Sequence, residues 1–469
     1  MSKLITTNWK DCAVLNPNGY YDLKTPDLND VPVRLFLSPK LLAEVEEALY
    51  PQIVNATRFP GTKLVVLTPD AHPGGIVPIG CVILTDGTVA MGPVGYDIGC
   101  GLICARSNVA MAEATPKKRL KFNQAVLEAV GIESSNQGRI ELGKVVLREM
   151  DELVRGGAEY YQQKYTSSFD LSHTERPHLP VEDNWQIPWK GQGQPERGIP
   201  QLGSLGSGNH FIELQACEET GTLFVQIHTG SRGFGHGLAQ YYLSLARKSN
   251  PAITGMDTAY FTPDSPHYRD YLNAVAAGAN FAMVNRLMIF EQVSRAFKRI
   301  FRGELELVYE ISHNLVQEEW HPDYGKVWVH RKGATRAFPA GHPALTGTPW
   351  QTTGHPVLIP GSNKDYSYVL RPKEGTVHSA YSVNHGAGRR LSRSAAKNAL
   401  DQRTTDRMYK AAGIVVNTDG RVPLEEAASA YKSSQAVIEA VVQANLAEVE
   451  YSLLPLASIK GNDSHVSKR

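Results

Sequence analysis

The hydrophobic pattern changes character several times along the chain. The first 60 residues mix short apolar runs with Pro and Asn turns. Between 64 and 110 the pattern is strand-like: Leu64-Val65-Val66-Leu67 and Cys81-Val82-Ile83-Leu84 sit between clusters of Gly, Pro and Asp. Residues 112–165 are charged and periodic, which predicts helix. Residues 166–200, rich in Pro, Gln, Trp and Gly, predict a surface loop or insertion. LFVQIH (223–228) is strand-like, and LAQYYLSLARKS after it predicts helix. A long helix is expected over 268–300, with AVAAGANFAMVNRLMIF as its apolar part. LELVYEISH, KVWVHRKG, PVLIPGS and YSYVL alternate as strands do, whereas 389–400 and 434–447 look helical. There is no internal repeat, heptad or low-complexity tract.

The class predicted is α+β: a single large composite domain over 1–469, with mixed β-sheets and peripheral helices. Residues 112–200 are expected to be a helical and loop insertion within it. Length alone suggests roughly two to four domains, but the suggestive motifs are spread from about 70 to 460, and one site drawn from that much chain implies one composite unit.

Composition narrows the picture. Apolar residues make up 42% and charged residues 20%, enough for a sizeable core. The formal charge of +1 argues against broad coating of duplex nucleic acid, yet permits a local basic patch. The five cysteines form no CxxC pair, so a reducing compartment is expected rather than a disulfide framework. MSKLITTNWKD has no apolar signal core, and no apolar stretch reaches the roughly 18 residues of a membrane span. A soluble cytoplasmic protein is the expectation.

Candidate chemistry begins with metal ligands. Asp97 and Cys100 stand at i, i+3 in the glycine-flanked turn GYDIGCG. Taken alone, such a pair is more often a turn Asp and a buried Cys. His210 follows Gly208-Asn209, His228 ends a strand before Thr229-Gly230-Ser231-Arg232, and His313 ends EISH. Each histidine singly suits a structural role, and several of the 15 must have one. Together with Asp97 and Cys100 they make a mixed O, S and N set that suits manganese, iron or zinc.

Phosphate-binding elements come next. There is no P-loop, and LTDG (84–87) and NTDG (417–420) lack the lysine of a K-x-D-G run, which disfavours a ligase with a lysine–nucleotide intermediate. Three Gly/Ser loops remain: GSRGFGHG (230–237), PGSN (360–363) and HGAGRR (385–390). Glycines let backbone N–H groups approach phosphate oxygens, and Arg adds bidentate donors. His385 would lie beside a helix N-terminus if helix follows directly, and its imidazole could attack phosphorus with Arg389 neutralising charge. A capping or buried histidine fits the same spacing. By position, Lys460 is a solvated tail lysine and Tyr431 a core aromatic.

These residues resemble a known family, the RtcB-type RNA-splicing ligases. The resemblance runs from about Pro69 to Gly461 through eleven ordered segments. They include PDAHPGG…PIG (69–80), GPVGYDIGCG (92–101), GSLGSGNHFIEL (203–214), IHTGSRGFGH (227–236), GANFAMVNR (278–286) and ISHN (311–314). VHRKGATRAF (329–338), PVLIPGS (356–362), HGAGRRLSRSAAK (385–397), EEAASAYK (425–432) and IKG (459–461) complete the set.

The resemblance implies an RtcB-like fold, with 112–200 as its family-variable part. It also implies an enzyme that joins a 3′-phosphate or 2′,3′-cyclic phosphate RNA end to a 5′-hydroxyl end, in tRNA splicing or RNA repair. GTP and two Mn2+ ions would be its cofactors and tRNA halves or cleaved RNA its partners. A 3′-phosphate guanylyl-capping enzyme acting on RNA or DNA ends is the alternative, and a non-catalytic RNA-end-binding homologue a third. His385 matches the guanylylated histidine; Arg389, Arg232 and Asp70 match other catalytic positions, the two arginines as phosphate holders. Asp97, Cys100, His210, His228 and His313 match metal ligands, with Cys100 bridging both ions. Asn209, Phe211, Ile212, Glu213, Asn314, Pro360, Gly361, Ser362, Asn363, Ser367, Gly386, Ala387, Gly388 and Lys460 match nucleotide contacts, and Tyr431 the partner that stacks on guanine.

Two segments depart from the family pattern. Asn363-Lys364-Asp365 stands where roughly Met-Gly-Thr is usual, which bears on nucleotide preference, and Pro73-Gly74-Gly75-Ile76 replaces a bulkier Gly-Tyr-Gly. Residues 166–200 match nothing in the pattern. These departures point to a divergent branch devoted to repair or end-capping.

Overall fold

A computed structural model describes residues 4–132, 147–165, 169–176, 178–253, 255 and 258–461. Two large sheets organise it. The first runs, by neighbour, through Ala13–Leu15, Tyr21–Leu23, Val33–Leu35, Thr62–His72, Ile79–Thr85, Gly325–Lys332 and Asn314–His321. The second runs through Leu305–Ser312, Gly101–Ala110, Thr222–Thr229, Phe211–Cys217, Ala447–Lys460, Ser367–Pro372 and Val357–Ile359. Pairing is antiparallel except for Val33–Leu35 on Thr62–His72 and Val415–Val416 on the last long strand. The α+β expectation holds.

The chain passes from one sheet to the other at a single residue. Leu305–Ser312 edges the second sheet and Asn314–His321 edges the first, so His313 is the crossing point. Its N–H donates to Cys100 O at 2.8 Å, and Gly99 N donates to Asn314 O at 2.9 Å. The seam between the sheets is therefore where two of the candidate ligands meet.

The long helix spans Tyr268–Phe301 and is buried over most of its length, which its Ala-rich, nearly all-round apolar sequence requires. Its small residues admit the turn that carries Cys100. A Cβ added to Gly99 would lie 2.7 Å from Ala279 Cα, and one on Gly278 would lie 3.2 Å from Ile98 Cβ. No helix among the described residues is long and apolar enough to cross a membrane.

Several element boundaries differ from expectation. The 112–165 segment contains helices Pro116–Ala129 and Leu147–Tyr165, the second broken at Gly157 (φ 54°), while part of the expected helix lies outside the described residues. The segment 169–200 is more than a surface loop, for Trp185 and Ile187 are buried in the core. Asn280 and Asn273 of the long helix accept from its Leu179 and Glu182 N–H groups. The helix expected over 389–400 is only Arg393–Ala399, capped by Ser392, and Gln402–Ala411 forms a second. The helix expected to 447 ends at Gln443, and the chain then enters the strand Ala447–Lys460.

Candidate active site

The candidate metal ligands converge on two groups that share one sulfur. Cys100, His228 and His313 form one; Asp97, Cys100 and His210 form the other, with the donor atoms of each group within 4.8 Å of one another. Cys100 Sγ lies 3.3 Å from His228 Nε2 and 3.6 Å from His210 Nε2. His228 Nε2 and His313 Nε2 are 3.3 Å apart, and His210 Nε2 is 3.0 Å from Asp97 Oδ2.

The outer contacts settle which ring nitrogens face inward. His210 Nδ1 is 3.0 Å from Leu205 O, and His228 Nδ1 is 3.0 Å from Asn209 O. A carbonyl can only accept, so each Nδ1 carries the hydrogen; His228 Nε2 then presents a lone pair to the site, while His210 Nε2 meets the acceptor-only Asp97 carboxylate, a contact that calls for a proton or a cation between them. Burial, followed by neighbouring imidazoles, holds His228 and His313 well below the usual histidine range, hence neutral. His228 Nε2 and His313 Nε2 face each other closely enough for one cation to take both as ligands. Burial alone would raise the Asp97 carboxyl, but His210, the Ser231 N–H and Arg232 outweigh it and keep the group ionised. Burial, then Asp97, push the Cys100 thiol far up; a bound cation reverses that preference. The donor set fits metal binding, with Cys100 common to both groups.

Two residues of the long helix fasten the backbone that carries these ligands. Arg286 donates to Gly99 O at 2.7 Å, Thr229 O at 2.9 Å and Ser312 Oγ at 3.0 Å, each beside a ligand residue. It also pairs with Glu310, both side chains being fully enclosed. Asn285 donates to Ser204 O at 3.2 Å and Gly230 O at 3.1 Å, and accepts from Gly203 N. Neither residue was legible as functional, since both sit inside an apolar helical run. Arg286→Met is expected to cost about 3–5 kcal/mol, the penalty for stripping one partner from a buried ion pair, and to lower metal occupancy. Urea denaturation checks this, and adding Glu310→Gln should recover part of the loss by removing the stranded charge.

His385 lies on the far side of His313, with ring centroids 4.8 Å apart. It directly follows the strand Ser382–Asn384, and the helix at Arg393 is too far along the chain to serve it; the expected helix N-terminus is not its environment. Its partner is instead Asp70, a fully buried carboxylate whose Oδ2 is 2.7 Å from His385 Nδ1. Burial raises the Asp70 carboxyl, but His385 and the Thr68 hydroxyl more than offset it, leaving it charged. Gly333 (φ +63°) makes room for the ring, since a Cβ there would stand 2.8 Å from His385 Cε1. The Nδ1–Oδ2 contact is close but off the line of an N–H hydrogen bond, and the His385 backbone N–H donates to the same Oδ2 at 3.3 Å; a carboxylate beside Nδ1 favours the tautomer with its hydrogen there and Nε2 as the nucleophile.

Both features open into one cavity of about 530 Å³. Asp97, Cys100, His228, His313 and His385 line it, as do Asn209, Phe211, Glu213, Asn314, the Pro360 to Asn363 loop, Gly386 to Arg389, Tyr431 and Lys460. Asn363 Nδ2 is buried there without a partner, a donor suited to a ligand oxygen. Its Oδ1 accepts from the Tyr409 hydroxyl, so the unusual loop is tied to the helix Gln402–Ala411. Phe211 and Glu213 share one face of the strand Phe211–Cys217; Ile212 takes the opposite face and packs in the core, away from the cavity. Ser367 stands behind the loop, accepting from Gly361 N at 3.1 Å and Gln215 Nε2 at 3.0 Å. Arg232 (φ +51°) packs its Nη1 against the Gly206 turn, next to the His210 ring.

Lys460 is no solvated tail lysine. Strand pairing with Phe211 buries it, with Nζ 5.3 Å above the Phe211 ring and 3.6 Å from Glu426. Glu426, which sequence reasoning missed, is a buried hub: it also meets Arg389 at 3.2 Å, Arg393 at 3.4 Å and the Tyr431 hydroxyl. Arg389 is thus engaged by protein acceptors, Glu426 and the Glu425 carbonyl among them, while its guanidinium carbon lies 4.9 Å over the Tyr431 ring.

The family described as tRNA-splicing ligase RtcB matches residues 52–461. The tRNA-splicing ligase RtcB of Thermococcus kodakarensis is 35% identical over 92% of this chain and 95% of its own. The RNA-splicing ligase RtcB of Mycobacterium bovis is 34% identical over 87% of this chain and 100% of its own. In Entamoeba dispar, RNA-splicing ligase RtcB homolog 1 is 32% identical over 87% and 81%. With the matched span enclosing every residue that lines the cavity, the chain belongs to the RtcB family of RNA ligases.

Proposed function

We propose that this RNA ligase joins a 3′-phosphate or 2′,3′-cyclic phosphate RNA end to a 5′-hydroxyl end, carrying GMP on His385 between the steps. The observation that carries the reading is the Asp70–His385 pair facing the metal-ligand cluster across one cavity. His385 Nε2 attacks the α-phosphorus of GTP; an N–P bond forms and pyrophosphate leaves. A 3′-phosphate oxygen then takes the GMP and frees Nε2. The 5′-hydroxyl attacks that activated phosphate, and GMP departs with the bonding electrons. Two Mn2+ ions, held by Asp97, Cys100, His210, His228 and His313, would supply the Lewis acidity for activating water or hydroxyl and for neutralising charge at phosphorus. Tyr431 stacks on guanine, with Lys460, Glu213 and Asn363 as polar contacts. Tyr431, already fixed through Glu426 and Arg389, loses little freedom on binding. Unpaired cysteines and RNA-end partners suit a cytoplasmic enzyme acting on tRNA halves or cleaved RNA.

Incubation of the wild type with GTP and Mn2+ tests the reading by intact mass. A gain of one GMP unit is expected; its absence from metal-loaded protein overturns the assignment. Adding strands with 3′-phosphate ends, RNA and DNA in turn, with a 5′-hydroxyl partner should give joined RNA. Accumulation of capped strand would instead make it a capping enzyme.

Glu213 sets a pH dependence. Burial pushes its carboxyl up to about 7. If the carboxylate accepts from the guanine N–H edge, GTP affinity rises as pH climbs through about 7, and Glu213→Gln flattens the profile in calorimetric titration. Its contribution to folding has the opposite sign. Between the ordinary carboxylate range and about 7 the unfolded chain releases this proton and the folded chain keeps it, so stability falls with rising pH across that window.

A further inference from the structure

The mechanism leaves one aromatic side chain of the cavity without a task. Tyr96 lines the cavity next to Asp97, and it is 40% exposed. Among the described residues it is the one large exposed apolar side chain that lines this cavity. One face of its ring is backed by His236, with centroids 5.0 Å apart and planes at 28°. His236 is itself held in the first turns of the helix Arg232–Ser249, whose start follows the Ser231 N–H that binds Asp97. Gly95, with φ +83° and open space about it, lifts the ring to the rim. A flat, exposed ring, backed by a second ring, beside candidate metal ligands, is the arrangement on which single-stranded bases stack. Tyr431, which also lines the cavity, is taken by the nucleotide in the reading above. A chain of net charge +1 has little general attraction for phosphates, so holding a strand end calls for local contacts of this sort.

We propose that Tyr96, backed by His236, is a stacking platform for the terminal base of a single-stranded RNA end entering on the metal side of the cavity. This rests on the ligase reading and specifies how that site holds its strand. Stacking needs only a π-face, so the platform accepts any base, and substituting Phe for Tyr keeps it.

The test uses full-length protein loaded with Mn2+ and two short RNAs carrying 2-aminopurine. In one the fluorophore is the first nucleotide of a 5′-hydroxyl strand, in the other the last nucleotide of a 3′-phosphate strand. Wild type and Tyr96→Phe should quench one of the two probes. Tyr96→Leu, similar in bulk but without a ring, should lose the quenching and bind that strand roughly 5- to 100-fold more weakly, the range for one aromatic–base stack. Equal quenching by Tyr96→Leu, or no quenching of either probe by the wild type, overturns the platform. GMP uptake by the wild type separates the two failures: if uptake persists, the platform alone is wrong, and if it is absent, the ligase reading falls first.

Discussion

His385→Ala is expected to take up no GMP and to join no RNA ends, with both signals at background rather than merely reduced. The reason is positional. Among the other imidazoles that line the cavity none has a carboxylate at Nδ1: His72 and His228 place Nδ1 against backbone carbonyls, His313 Nδ1 has no partner, and His228 and His313 turn Nε2 toward each other in one candidate ligand group. An added GMP therefore has no second acceptor of the same kind. The substitution removes a 14% exposed side chain and leaves all five candidate ligands in place. Metal binding should persist, and the visible spectrum of a Co2+-loaded sample, reporting on the Cys100 thiolate, should match the wild type. GMP uptake by His385→Ala would place the nucleophile elsewhere. A lost Co2+ spectrum would mean that the variant had damaged the cluster rather than the nucleophile.

Cys100→Ser should act at the other half of the cavity. Cys100 is the one residue common to both ligand groups, so its loss opens both together. Serine keeps the size but holds its proton, and a neutral hydroxyl is a poor substitute for a thiolate at a soft position. Removing even an outer contact of a metal ligand costs about 10–100-fold in affinity or activity; losing a shared ligand should exceed a hundredfold. Metal stoichiometry after gel filtration and the ligation rate give the measurement. His313→Ala and Asp97→Ala, each in one group only, should lose fewer ions than Cys100→Ser. Equal losses in all three would mean that the groups do not bind independently.

The fold was legible where local pattern decides it. The apolar run at 268–300 had one solution, a buried helix, and the strand run at His228 ended where turn residues follow, whereas the run at His313 passes directly into a second strand at Asn314. Asp97 and Cys100 were legible as a pair because a glycine turn brings i and i+3 together. Boundaries failed where neighbours intervene: the 389–400 run lost its first turn to the loop that seats His385, and Lys460 left the solvent because strand Ala447–Lys460 adds to the sheet.

By itself the sequence determined the residue types available for chemistry, the ordered motifs that carry them, and the absence of a lysine nucleotidyl motif. Only the tertiary structure decided which of those residues meet. Asp70 and His385 are 315 positions apart, and Arg286 reaches carbonyls beside Cys100 and His228 and a hydroxyl beside His313 across as many as 187. Such meetings follow from sheet register and from the crossing at His313, which long-range hydrogen bonding fixes and no local periodicity encodes. His385 was ambiguous as a sequence position for that reason. The buried carboxylate at its Nδ1, supplied from the far end of the chain, is what makes its Nε2 available.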